Sequence, residues 1–167
     1  MVGVLARAAM PVGRDGTGGR GLSPLGLLHC LAFSATRAAS MPTVTTRDVR
    51  VSVESHYAPE RSSPEKRQYF FLYTITIKNQ GQSTVQLLRR HWVIMDGHGE
   101  TQEVRGAGVV GEQPVLKPGE SFRYTSGCPL STSFGSMDGS YEMMDEDGES
   151  FDVKIPPFAL RDPSRMQ

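Results

Sequence analysis

The 167-residue chain is poor in several things that would define a function class. It has two cysteines, Cys30 and Cys128, enough for one bridge at most, so it is not a disulfide scaffold. Cys128 is expected to be a free thiol, and a cytoplasmic setting fits that usage. No run of 18 apolar residues occurs, so no helical membrane span is expected. Lys and Arg total 18 against 18 Asp and Glu, and this zero net charge gives no electrostatic reason to expect nucleic acid or a membrane surface as partner. A helical stripe at i, i+3, i+4, i+7 is also missing from every window of ten residues.

What is present divides near Met41. Residues 1–40 carry Arg7, Arg14, Arg20 and Arg37 against Asp15 alone, and the run Val12-Gly-Arg-Asp-Gly-Thr-Gly-Gly-Arg-Gly21 is rich in breakers. This extension is expected to be disordered. Its Arg-rich, acid-poor composition suits a transit peptide, and Leu22–Phe33 faintly resembles a signal sequence interrupted by Pro24 and His29. A third reading starts the protein at Met41. Residues 41–167 then form one domain, large enough to bury a core without staples.

That domain reads as strands. Val49, Val51 and Val53 alternate with polar residues, and in Tyr69–Ile77 the face Phe71, Tyr73, Ile75, Ile77 is the best core candidate. Val85–Met95 carries the only tryptophan, Trp92, and further patterns lie at 102–105, 121–125, 140–144 and 151–155. Turn chemistry separates them at Asn79-Gln-Gly81, Asp96-Gly-His-Gly99, Lys117-Pro-Gly-Glu120, Met137-Asp-Gly139 and Asp147-Gly148. Seven to eight short strands at this spacing predict an all-β, antiparallel sandwich of immunoglobulin-like or fibronectin type III-like form. The charged insert Ala58–Arg67 is expected to be a solvated loop.

Chemistry is sparse. Gly106-Ala-Gly-Val-Val-Gly111 matches the dinucleotide pattern G-x-G-x-x-G, but Pro114 follows at once and a strand comes next, so the helix that would hold a pyrophosphate has no place. Such a loop can still offer backbone amides to an anion, and Arg105 adjoins it. In Arg89-Arg90-His91-Trp92, alternation puts Arg90 with Trp92 and Arg89 with His91. The plainer reading of that cluster is a core tryptophan with snorkelling or paired arginines. Asp145-Glu-Asp-Gly-Glu149 lacks the ligand spacing of a calcium loop and reads as an acidic hairpin turn. The four histidines lie at 29, 56, 91 and 98, and with Cys128 they form no zinc pattern. Neither a serine elbow nor a thiol–base pair is visible, although Gly127-Cys-Pro129 at a strand end could expose Cys128.

Several long motifs, taken together and in order, resemble the ApaG family. They are Val44-Thr-Thr-Arg-Asp-Val-Arg-Val-Ser-Val53, Tyr73-Thr-Ile-Thr-Ile-Lys-Asn79, Leu87-Leu-Arg-Arg-His-Trp-Val-Ile94 and Val104-Arg-Gly-Ala-Gly-Val-Val-Gly-Glu-Gln-Pro-Val-Leu116, followed by Tyr124-Thr-Ser-Gly-Cys-Pro-Leu130 and Ile155-Pro-Pro-Phe-Ala-Leu160. The resemblance spans about Val44 to Leu160 and leaves residues 1–40 outside. It implies a β-sandwich without established enzymatic activity, an association with cobalt and magnesium tolerance, and a module that recurs in larger interacting proteins. The family's pyrophosphate motif falls on Gly106, Gly108 and Gly111.

The expectation is therefore a non-catalytic protein-interaction module, without cofactor or metal, acting through Gly106, Gly108, Gly111, Arg89, Arg90, Arg105 and His91. The alternative is a protein that binds a nucleotide, pyrophosphate or divalent cation at the same loop. The sequence leaves open whether edge strands pair two copies.

Overall fold

A computed structural model describes residues 41–165, and the extension expected at residues 1–40 lies outside them. Nine strands follow in order: β1 Thr43–Thr46, β2 Val49–Tyr57, β3 Tyr69–Asn79, β4 Val85–Asp96, β5 Thr101–Ala107, β6 Val115–Leu116, β7 Ser121–Leu130, β8 Phe134–Asp145 and β9 Ser150–Arg161. The pairings are all antiparallel and form two sheets. One runs β1-β2-β3-β7, the other β5-β4-β8-β9, with β6 also paired to β4. Among the described residues the only helical pieces are 3-10 turns at Pro59–Arg61, Pro64–Lys66 and Pro163–Arg165. No helix there is long and apolar enough to cross a membrane.

The period-2 pattern explains the layers. Phe71, Tyr73, Ile75 and Ile77 all point inward and are buried, as are Val49, Val51 and Val53 of the neighbouring strand. From the other sheet come Leu87, Trp92, Tyr141, Met143, Val153, Ile155 and Phe158. Trp92 sits at the middle of the interface, edge-on to Tyr73 at 5.4 Å, Phe158 at 6.1 Å and Tyr141 at 6.3 Å. Such aromatic contacts add to the apolar area that holds the sheets together.

The strand count exceeds the expected seven to eight because β1 and β6 are too short to show a period. Met137-Asp-Gly139 is also not a turn. It lies inside β8, which continues back to Phe134, and the register shift there, from Met137↔Phe158 to Gly139↔Ile155, puts the extra residue of a bulge on β9 at Pro156-Pro157. A Cβ on Gly139 would stand 2.0 Å from the His91 carbonyl oxygen, so β4 and β8 approach too closely there for any side chain. The insert at 58–67 is largely exposed, but it is anchored: Ala58 is buried, and Arg61 lies over the Phe70 ring at 3.7 Å.

Candidate functional site

β4 carries the candidate cations, and a bulge sets which way they face. Val85 and Leu87 point into the core, and a register shift between Leu87 and Arg89 resets the alternation. Arg90, Trp92 and Ile94 then face inward while Arg89, His91 and Val93 face solvent, as alternation around Trp92 predicts. Cross-strand neighbours complete the outer face. His91 lies between Arg105 of β5 and Ser140 of β8; Arg89 lies between Ala107 and Glu142, and Glu142 is followed by Asp152 of β9.

These residues line an open concavity of about 510 Å³, bounded by Arg89, Arg90, His91, Arg105, Gly106, Ala107, Ser140, Glu142 and Asp152. Glu103 bridges His91 and Arg105 at one side. Its Oε2 lies 2.9 Å from His91 Nε2 and accepts a bond from Arg105 Nη2 at 3.1 Å. The His91 hydrogen bond, then that of Arg105, holds the Glu103 carboxyl below the usual glutamate range. Arg89 is looser, with Nε 3.8 Å from Glu142 and 73% of its side chain exposed. The site is therefore a shallow, mixed-charge floor on the five-stranded sheet.

Of the seven residues that sequence reasoning nominates, Arg89, Arg90, His91, Arg105 and Gly106 meet at this concavity. Gly108 and Gly111 do not line it. The three glycines have structural work instead. After β5 the chain closes a tight two-residue hairpin in which Val109 and Glu112 exchange backbone bonds of 2.8 and 2.9 Å. Val110 and Gly111 at its tip have φ of +45° and +83°, the backbone of a type I′ turn. Gly108 has φ +59°, and a Cβ there would lie 2.2 Å from the Glu112 carbonyl oxygen. Gly106 makes room for the Arg90 guanidinium, whose nitrogens stand 3.1 Å from where its Cβ would be.

Arg90 is correspondingly occupied. Its Nη1 donates to the carbonyls of Ala107 at 3.0 Å and Gly108 at 2.7 Å, pinning the loop against the sandwich. Of the loop amides, Gly108 N–H is given to Leu88 O, and those of Val109 and Glu112 to each other's carbonyls. An amide nest of the kind that cradles phosphate is thus largely consumed within the protein.

Behind the loop, between β5 and β7, a narrow cleft of about 40 Å³ enters the sandwich among Tyr73, Val104, Val110, Tyr124, Cys128 and Met137. That volume holds about one water. Cys128 is buried here rather than exposed, and burial pushes its thiol up to about 12. Desolvation also raises the phenols of Tyr124 and Tyr141, which share a 2.5 Å hydrogen bond. A protonated thiol in this setting has little nucleophilic character.

The acidic segment at 145–149 is the β8–β9 hairpin turn, where Asp145 Oδ1 accepts from the amides of Asp147 and Glu149 at 3.0 and 2.9 Å. Asp96 does the same for His98 and Glu100 in the β4–β5 turn, at 2.8 and 3.0 Å. Sequence reasoning missed Glu103, Ser140, Glu142 and Asp152. The signal for Glu103 was available: a hairpin centred on His98 sets Arg105 opposite His91 and puts Glu103 one diagonal away.

Comparison with known proteins bears on the whole domain. A family model described as the ApaG domain matches residues 59–145. A protein named ApaG from Afipia carboxidovorans is 60% identical over 123 residues, covering 74% of this chain and 95% of that protein. One from Rhodopseudomonas palustris is 58% identical over the same length and coverage. A solved structure from Bordetella pertussis, described as ApaA, superposes with a TM-score of 0.68 at 50% identity, covering 74% of this chain and 97% of that one. The shared two-sheet frame and the sequence identity across nearly the full length of these relatives lead to one conclusion: the chain belongs to the ApaG family.

Proposed function

We propose that the domain is a non-catalytic, cytoplasmic protein-interaction module that captures an acidic partner surface on the outer face of the β5-β4-β8-β9 sheet. The observation that carries this reading is the open concavity where Arg89, His91 and Arg105 stand on adjacent strands over a rigid floor. Arginine on a preformed surface is a favoured interface anchor. Cys128, the one cysteine among the described residues, is buried, and its thiol bonds the Pro129 carbonyl and no base. A link to cobalt and magnesium tolerance would then run through the captured partner.

Gly108→Val and Arg90→Glu suggest themselves from sequence as site probes, but both attack the loop itself. Arg89→Glu is the better probe, because its side chain is mostly exposed. Affinity capture from the native cell with wild type and Arg89→Glu should recover a partner only with wild type, at equal melting temperatures. Equal recovery by both proteins would move the site elsewhere.

Arg89 and Arg105, with His91 between them, also favour a second reading, in which a nucleotide or pyrophosphate, with or without a divalent cation, sits in the concavity. Side chains would do most of the holding, since the Gly108, Val109 and Glu112 amides are bonded within the protein. Dose-dependent thermal stabilisation by pyrophosphate that is lost in Arg89→Glu supports this reading. A flat response at millimolar pyrophosphate, Mg²⁺ and Co²⁺ removes it.

A further inference from the structure

We infer that β5 is a self-complementary edge through which two copies of this chain pair into one continuous sheet. Among the described residues β5 has a strand neighbour on one side only, β4. Two hydrogen bonds fix which of its groups face outward. Asp96 N–H donates to Glu100 O at the hairpin end, and Gly108 N–H donates to Leu88 O at the loop end. Antiparallel alternation between them turns the backbone groups of residues 102, 104 and 106 toward β4. Those of Thr101, Glu103 and Arg105 then point away from the sheet.

The side-chain order matches that geometry. In an antiparallel pair of two β5 strands centred on Val104, Glu103 of each copy lies opposite Arg105 of the other. These are the residues whose N–H and C=O groups point outward, so both 103–105 positions form hydrogen-bonded pairs with opposite charges side by side. Val104 meets Val104 in the close, non-bonded pair between them. A shift of one residue would break the backbone match, and a shift of two would set like or neutral residues opposite the charges. Charges on an edge usually repel pairing, and here their order admits one partner and disfavours others.

The two-fold axis of such a pair stands perpendicular to the sheet, so the sheet runs β9-β8-β4-β5 and then β5-β4-β8-β9 of the second copy. Both cationic concavities then open on the same face. The pairing shares Arg105 with the interaction reading but not Arg89, so Arg89→Glu tests that reading with the β5 edge intact and the two can fail separately. A contact of about five residues per copy is small beside a standard interface, so a weak, concentration-dependent dimer is expected.

The test is sedimentation equilibrium of the full chain from about 10 µM to 1 mM, the range suited to a small interface. Wild type should self-associate. Glu103→Arg should weaken the dimer about tenfold or more, since two attractive pairs become repulsive. The double exchange Glu103→Arg with Arg105→Glu should restore it, and it also returns a carboxylate beside His91. Amide exchange gives a readout without substitution: the Glu103 and Arg105 amides of wild type should be protected at high concentration and not at low. A monomer throughout, a dimer indifferent to charge reversal, or protection independent of concentration would each overturn the inference.

Discussion

The two long sides of the sandwich are finished in different ways. On one side β9 lies against β1 and β2 of the facing sheet, and side chains there bond to its backbone: Ser55 Oγ donates to Ala159 O at 2.9 Å, and Lys154 N–H reaches Thr46 Oγ1 at 3.3 Å. Arg47 adds an ion pair with Glu149 at 2.9 Å and lies over Phe151 at 4.7 Å. On the other side β5 and β7 do not meet. The Gly108–Glu112 hairpin fills much of that gap, held by Arg90, by bonds of Gly108 N–H and Gln113 Nε2 to Leu88 O and by the buried Val109, with a narrow cleft behind it. One side is closed by many small contacts, the other by a single strained insert. Backbone strain concentrates where a fold does something other than close on itself, and Val110, a β-branched residue at φ +45°, is on the open side.

The largest effect should come from Gly108→Val. The substitution places a β-branched residue at positive φ and drives its Cβ into the Glu112 carbonyl, so a loss of about 3 kcal/mol or more is expected. Gly111→Ala sharpens the point, since its Cβ meets nothing within 4 Å and only the backbone angle resists. That change should cost roughly 1–2 kcal/mol. Chemical denaturation of both variants measures the difference, and equal costs would show that the close approach at Gly108 relaxes freely.

The alkaline limb of stability reports on the cleft next. The folded-state value of the Cys128 thiol is raised from 9.0 to about 12 by burial. Its contribution is therefore complete below pH 9 and is lost as pH rises from 9 toward 12. Three units correspond to roughly 4 kcal/mol at most. In a Cys30→Ser background, Cys128→Ala should flatten that limb, and an unchanged limb would assign it to the tyrosines. Iodoacetamide at pH 8 should react with native Cys128 roughly a thousandfold more slowly than with the unfolded chain, from thiolate fraction alone.

Arg90→Met tests whether one residue holds the open side. The two carbonyls it serves would lose a charged donor, a cost of about 1–3 kcal/mol. Faster amide exchange in residues 106–112, with β9 unchanged, is the signature expected. Loss spread evenly over both sheets would mean that the hairpin is not a separate unit.

The same contrast explains what could be read in advance. β2 and β3 were legible because half-buried strands alternate, and Phe71 to Ile77 fell on the predicted face. Alternation groups Arg90 with Trp92, and the plainer reading of a paired arginine fits, with carbonyls as the partners in place of acids. Those carbonyl partners follow from the loop's path, which glycine spacing does not encode. The latter halves of β7 and β9 hid behind Pro129 and Pro156-Pro157, residues that end most strands but are tolerated at edges. Met137-Asp-Gly139 has turn residues, but β8 runs through it because Gly139 lets β4 approach closely, and the bulge opposite falls on β9 at Pro156-Pro157. The spacing of Gly106, Gly108 and Gly111 does not tell a ligand loop from a tight hairpin, and packing and turn geometry supply a structural reason for each glycine.

The smallest effect belongs to the closed side. Ser55→Ala removes the donor to Ala159 O, but that bond is solvent-exposed, and water can replace the lost partner. A cost of about 0.5–1 kcal/mol is expected, less than for Arg90→Met, because the contacts of β1 and β2 along β9 remain. Adding Thr46→Val to Ser55→Ala should be close to additive, since the two bonds serve separate points of β9, Lys154 and Ala159. A double variant that loses much more than the sum would show that this side also depends on a cooperative clasp, and the contrast between the two sides would fall.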